Sequence, residues 1–578
     1  MAAPVDPTTL AILARALHAA AEEMGVNLMR SAFSTIVREA RDCSTALLDP
    51  EGHVVAQAEM IPMQLSALSM SFKACQAAFD VSRIGPGHAM ILNDPYSGGQ
   101  HLNDIILFTP IFSGDTLLGF AGSTAHHLDI GGGSAGINAR ATDIYQEGLV
   151  VPPLLFEVER DWHGGVLGRL FAANIRTPVL GVGDLNAQFA ANFTGARRLR
   201  ALAERVGVPV LFRAMAEVLD YSERRLRAAI EAIPDGTYEG EAFIDDDVYS
   251  PDPIPIRVTV RVVGSEIWLD FTGTAPQVRG MFNCPLSSSH AAAFAAIRAV
   301  ASDKEIPAND GCNRPVHLHF PEGSLLNPRF PAPVRARMQA ASRAFNAIHA
   351  ALARALPDRV PAPGFDTTTG FYLAQQRGGA YRVFGDVLGG GYGAGRGYDG
   401  ADATDNPLSN CRNTPVEAIE QIHDYLLVRR YALLPDSGGA GQWRGGLGFC
   451  REVEILDGGV ELTIYSDHFK LPAPGRQGGL PGRTGSLTVF RRDERIALSA
   501  KTSQPLEPGD VVRLELGGGG GYGDPRQRAR EAVERDLADG RVTPAQAGAV
   551  YGDPAAGAVD ATPGPPAGTC RRSSPRPP

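Results

Sequence analysis

"GGQHLNDIILFTP", residues 98–110, joins a Gly-rich turn to an apolar run and sets His101 and Asp104 three residues apart between them. A short apolar run bounded by Gly, Pro, Asn and Asp reads as a strand between turns. The same grammar recurs on both sides. "HAMILNDPYSGG" (88–99) and "DTLLGFAGSTAHH" (115–127) alternate apolar stretches with turn residues, and "STALLDPEGHVVAQAE" (44–59) reads as strand, Asp-Pro-Glu-Gly turn, strand. The chain is therefore expected to be β-rich from the first hairpin to about residue 190.

Helical signals frame this region. Asp6 suits an N-cap, Pro7 suits a first turn, and Leu10, Leu13, Leu17, Ala20, Met24 and Leu28 recur at helical spacing, predicting a helix to about Arg30. Residues 196–233 predict a helical pair hinged at Gly207 and Pro209. "GTYEGEAFIDDD" and "PIPIRVTVRVVGSEIWLDFTGT" alternate as antiparallel strands, and helices follow around "SSSHAAAFAAIRAVAS" and "VRARMQAASRAFNAIHAALARAL". The last third is Gly-rich and β-like. The fold class expected is α+β, multi-domain, with mixed β-rich domains and peripheral helices. Its parts are 1–195 (N-terminal helix plus β-rich site domain), 196–360 (helical pair, strands and helices), 361–525 (Gly-rich, β-like), 526–552 (helical hairpin) and a disordered tail at 553–578.

Composition narrows the function. A chain of 578 residues with net charge −10 and no basic stripe does not suit nucleic acid or an anionic membrane. Seven widely spaced cysteines without a CxxC exclude a zinc ribbon, an iron–sulfur cluster and a disulfide framework. With no signal-peptide pattern at the N-terminus and no run of 18 apolar residues, a cytoplasmic protein is expected.

His101 and Asp104 offer an imidazole and a carboxylate, which suit zinc, manganese or iron(II) more than calcium. "STAHHLDIGGG" (123–133) brings His126, His127 and Asp129 into a like setting 22 residues after Asp104, and Asp42 lies where the first helical region enters a strand. An H-x-x-D pair is usually two solvated or mutually bonded side chains, and spacing alone leaves the metal reading second. Asp143 and Glu147 in "DIYQEGL" share a face if that stretch is helical, as surface acids often do. Asp245–Asp247 reads as a cation site or a solvated strand end. No Walker A loop and no G-x-S-x-G elbow is present. "GGGYGAGRG" (389–397) is read either as an anion cradle with Arg396 or as close backbone packing.

Taken in order, "REARDCSTALLDPEGHVVAQAE", "NDPYSGGQHLNDIILFTPIF", "AHHLDIGG", "ATDIYQEGLVVPP", "RGMFNCPLSSSHAAAFAAIRAV", "IPANDGCNRPVHLHFPEGSLLNP" and "GGGGGYGDP" resemble the hydantoinase B/oxoprolinase family over roughly residues 5–552. The resemblance implies a B-type subunit of an ATP-dependent cyclic-amide hydrolase, or of the related ketone carboxylases. It implies a hetero-oligomer in which ATP is held by a hydantoinase A-type, actin-like ATPase subunit, which phosphorylates a lactam or hydantoin substrate. It also implies a divalent metal ion on Asp42, His101, Asp104 and His126, with His127 and Asp129 as the fallback; with such an ion, Asp143 or Glu147 is read as a general base or as the residue that orients the attacking water. A scaffold without catalysis is the reading from another class. The stretch before "ASRAF" departs from the family's Asn-Glu-Thr-like pattern at Met338–Ala341.

Overall fold

The computed structural model describes residues 4–301 and 306–552, so the tail expected at 553–578 lies outside the described residues. The first helix runs Pro7–Ser31. The Asp6 carboxylate caps it by accepting from the N–H groups of Thr8 and Thr9 at 3.1 Å, and its Leu13, Leu17, Ala20, Met24 and Leu28 are buried. The predicted hairpin follows as β1 (Cys43–Leu48) and β2 (Val54–Gln57). With β3 (His88–Leu92), β4 (Asp104–Ser113), β5 (Thr116–His126) and β6 (Leu154–Glu157) it forms one antiparallel sheet in the order β2-β1-β5-β4-β3-β6.

Every residue of β1 is buried because both faces of this sheet are covered. Leu47 and Val55 pack with the first helix, while Leu48, Phe108 and Phe120 pack with Phe72 of the helix Leu68–Ala78. The helix Pro178–Val206 lies over β4 and β5 and turns at Gly207 (φ 84°) into Val208–Glu231. The expected pair at 196–233 is thus the second part of a longer unit, and the boundary expected at residue 195 falls inside a helix.

A second sheet holds β7 (Gly236–Ile244), β8 (Ile254–Val263), β9 (Glu266–Asp270) and, parallel at its edge, β10 (Val316–His319). Against it lies the helix Arg337–Leu352, and the helix Leu286–Ala301 packs on that helix and meets the sheet at its edge strand β10. The helix Arg337–Leu352 is not peripheral: 15 of its 16 residues are buried. Its small Ala side chains permit close approach, and a Cβ on Gly240 of β7 would stand 2.1 Å from the carbonyl of Ala347. Asp245–Asp247 is no open cation cluster. The Asp245 carboxylate accepts the N–H groups of Phe469, Lys470 and Leu471, and Lys501 reaches Asp246.

The remaining strands, β11 (Thr369–Arg377), β12 (Ala380–Leu388), β13 (Leu426–Leu433), β14 (Phe449–Ile455), β15 (Val460–Tyr465), β16 (Ser486–Arg491), β17 (Glu494–Leu498), β18 (Lys501–Leu506) and β19 (Val511–Glu515), form two sheets. Their orders are β12-β11-β15-β18 and β13-β14-β19-β16-β17, around a core that includes Phe371, Leu462, Phe449 and Leu514. The Gly-rich stretches lie side by side as bare backbone: Gly391 N–H donates to Gly517 at 3.0 Å, and Gly519 N–H donates to Gly446 at 3.0 Å. A Cβ on Gly391 would sit 1.9 Å from the carbonyl of Gly446, so close packing accounts for this composition. Arg396 pairs with Asp358 at the surface.

Candidate metal centre

Antiparallel register sets Asp104, the first residue of β4, directly opposite His126, the last residue of β5. The turn ahead of β4 folds back so that His101 joins them. Continuation of the β1–β5 ladder, through the N–H of His126 donating to the carbonyl of Asp42 at 3.0 Å, brings Asp42 alongside. The result is a buried cluster. Asp104 Oδ1 lies 3.1 Å from His101 Nε2 and 3.4 Å from His126 Nδ1, the two ring nitrogens face each other at 3.1 Å, and Asp42 Oδ2 is 3.5 Å from His126 Nδ1. One donor atom each from His101, Asp104 and His126 falls within 4.8 Å of the others.

Neighbours fix how these groups point. His101 Nδ1 faces the carbonyl of Arg335 at 3.3 Å, which makes that nitrogen the N–H donor and leaves the Nε2 lone pair on the cluster. His126 Nε2 meets the Tyr372 hydroxyl at 3.3 Å. Arg337 donates to Asp104 Oδ2, so only Oδ1 turns inward. The side-chain amide of Gln64 donates to Asp42 Oδ1 at 2.7 Å, and its own Oε1 is buried without a partner.

Electrostatics follow from burial. Burial holds His101 well below the ordinary imidazole range, helped by the Arg337 cation, and lowers His126 to about 4. Both rings are therefore neutral donors near pH 7. Burial, then the Asp104 charge, pushes Asp42 up to about 8. Burial also pushes Asp104 upward, but the Arg337 guanidinium bonded to it opposes that and keeps the carboxylate well below its ordinary range. Two imidazole nitrogens and a carboxylate oxygen crowd together out of water, an arrangement that a cation or a shared proton among them stabilises.

The other sequence candidates lie elsewhere. His127 points to the opposite face of the sheet, with Nε2 3.2 Å from Gln188 Oε1, and Asp129 is paired with Arg176. Asp143 and Glu147 share no helix face. Asp143 caps the short turn Ile144–Gln146, and buried Glu147 accepts from the N–H groups of Val334 (3.0 Å) and Arg335 (2.8 Å). Among the described residues neither carboxylate is hydrogen-bonded to the cluster. Burial raises Glu147 to about 7.

Sequence reasoning missed Gln64, Arg335, Arg337 and Tyr372. One signal was present: two arginines open a helix, where the helix dipole favours acids.

A family model described as hydantoinase B/oxoprolinase matches residues 6–525, so the chain belongs to that family. It is 35% identical to the putative B-type subunit of a D-/L-hydantoinase from Pseudomonas sp. (strain NS671), over 95% of each chain. It is 31% identical to the beta chain of the caprolactamase of Pseudomonas jessenii, covering 93% of this chain and 94% of that one. A 5-oxoprolinase of Pestalotiopsis fici is 31% identical over 92% of this chain, which spans 42% of its length. Among solved structures, the ATP-dependent caprolactamase from Pseudomonas jessenii superposes with a TM-score of 0.88 at 30% identity, covering 95% of this chain and 96% of that one. An acetone carboxylase shares the fold, with a TM-score of 0.85 at 18% identity over 95% of this chain and 79% of its own. No helix among the described residues is long and apolar enough to cross a membrane.

Proposed function

We propose that this chain is the B-type subunit of an ATP-dependent cyclic-amide hydrolase, holding a divalent ion on His101, Asp104, His126 and Asp42. The observation that carries this reading is the convergence of His101 Nε2, His126 Nδ1 and Asp104 Oδ1 in one buried site. Two imidazoles with carboxylates suit zinc, manganese or iron(II). Hydantoinase, oxoprolinase and caprolactamase among the relatives point to a ring amide as substrate, and the subunit names of two of them point to a partner. In this reading ATP is held by an A-type ATPase subunit that phosphorylates the ring carbonyl oxygen, a division of labour that the family resemblance implies and that the ATP dependence of the similar caprolactamase supports.

A bound divalent ion supplies Lewis acidity that brings the pKa of a water toward neutrality. The chain's own residues do the rest. Arg337 holds one oxygen of Asp104 so that the other faces inward, the Arg335 carbonyl sets the His101 tautomer, and Tyr372 orients His126. Glu147 acts by position: it anchors Val334 and Arg335, and through Arg335 it sets His101.

The test is reconstitution with an A-type ATPase subunit, ATP and a panel of hydantoin, 5-oxoproline and caprolactam. Ring-opened product and phosphate without added bicarbonate are expected. Bicarbonate-dependent consumption of a ketone would assign the chain to the carboxylase branch, and unaltered turnover after His101→Ala and Asp104→Ala would leave it a scaffold.

A further inference from the structure

Six arginines are buried among the described residues: Arg335, Arg337, Arg343, Arg444, Arg451 and Arg528. Five of them meet an aspartate: Arg337 with Asp104, Arg343 with Asp467, Arg444 with Asp402, Arg451 with Asp386 and Arg528 with Asp399. Arg335 is the exception. It is 3% exposed, and its guanidinium makes no ion pair. It donates to the Tyr372 hydroxyl at 3.2 Å and lies over that ring at 5.8 Å, while its Nε is buried without a partner. The Asp42 and Glu147 carboxylates feel its charge, but neither is ion-paired with it. A buried guanidinium without a counter-charge is costly, and a site that retains one is prepared for an anion.

Its placement is built. Glu147 holds its N–H, Pro333 just before it accepts from Asn283 at 3.0 Å, and the N–H of Ala336 donates to Met281 at 2.8 Å. The segment then opens the helix Arg337–Leu352, whose first residue bonds Asp104, so the positive end of a 16-residue helix adjoins the His101–Asp104–His126 cluster. Tyr372 touches both Arg335 and His126.

We propose that Arg335, with the Tyr372 hydroxyl and the N-terminus of this helix, is the receptor for the phosphoryl group of the activated substrate, beside the His101–Asp104–His126 cluster. This rests on the proposed phosphorylated substrate and names the group that recognises it. A planar guanidinium matches two oxygens of a phosphoryl group, and an unpaired one binds it without first breaking an internal ion pair. Arg337, already committed to Asp104, is not equivalent.

The experiment titrates the full-length protein with inorganic phosphate, and separately with acetate, by calorimetry. It compares wild type with Arg335→Gln, Arg335→Lys and Tyr372→Phe, both metal-loaded and after chelation, with metal content measured in parallel. The expected result is phosphate affinity at least about tenfold weaker in Arg335→Gln, partly restored in Arg335→Lys and reduced in Tyr372→Phe. In the two Arg335 variants metal content and acetate binding stay as in wild type, and their phosphate difference survives chelation. Equal phosphate affinity in wild type and Arg335→Gln overturns the proposal. So does an equal loss for acetate, which would make the recognised group a carboxylate, and so does loss of metal in both Arg335 variants, which would make Arg335 a structural prop. A wild type without metal whose phosphate binding still depends on Arg335 would sink the metal-centred function while leaving the anion site standing.

Discussion

Asp104 and His126 face each other across the first register pair of β4 and β5, with the carboxylate Oδ1 3.4 Å from the imidazole Nδ1. The long hairpin that places them is buried on both faces, so its register cannot slip without turning every side chain around. The donor geometry is therefore inherited from the most constrained pairing in the sheet, and the looser turn has only to deliver His101.

Glu147 separates two roles. As an anchor for Val334 and Arg335 it reaches the cluster through Arg335, whose carbonyl faces His101. Glu147→Ala is expected to weaken metal affinity by about tenfold or more, as loss of a supporting residue does. A general base would instead leave metal affinity untouched and abolish turnover alone; a metal titration distinguishes them.

Arg343 ties the helix Arg337–Leu352 to the segment that follows β15 through Asp467 at 3.1 Å, both fully buried. Arg343→Leu leaves Asp467 with the Lys501 ammonium at 3.4 Å and should cost about 3 kcal/mol in denaturant unfolding. A change below about 1 kcal/mol would mean that Lys501 alone neutralises the aspartate.

Gly391 is packed against backbone on two sides. The Cβ of Gly391→Ala would meet the carbonyl of Gly446 at 1.9 Å, and no flexible side chain can yield there. Destabilisation of about 3 kcal/mol or more is expected, read as a fall in melting temperature or loss of soluble chain. Gly397→Ala, whose added Cβ would meet no atom within 4 Å but whose φ is 95°, should cost less.

His349 should make stability depend on pH. Burial lowers it to about 3, against the opposing effect of the hydrogen bond that its Nε2–H donates to the carbonyl of Ala296. Its folded pKa lies below the unfolded value, so below about pH 6.5 the unfolded chain takes up the proton more readily. The contribution is complete above that pH and drains away at about 1.4 kcal/mol per pH unit toward pH 3. His349→Gln keeps a donor but cannot titrate, so its stability should fall less steeply between pH 6 and 4; parallel slopes would contradict this.

Local signals were legible. The Asp6 cap, the Asp-Pro-Glu-Gly hairpin and the turn-bounded runs around His101 each rest on neighbours in sequence, and each appears as expected. What depended on distant partners was not. Tyr372 reaches His126 from 246 residues away and Arg337 reaches Asp104 from 233, and no period or spacing encodes such contacts. Glu147 reads as a free acid because its partners are backbone N–H groups of another loop, which have no residue signature. The boundary expected at residue 195 falls inside one helix, which small residues such as Gly195, packed against Met24, let run on across it.

The most direct measurement is the metal content of the purified full-length chain after loading with zinc, manganese or iron(II) and removal of excess, by elemental analysis. About one ion per chain is expected in wild type and a small fraction of that in His101→Ala and Asp104→Ala, with all three folded by circular dichroism. A folded wild type that retains none of the three ions, or variants that retain as much as wild type, would contradict a metal centre at His101, Asp104 and His126.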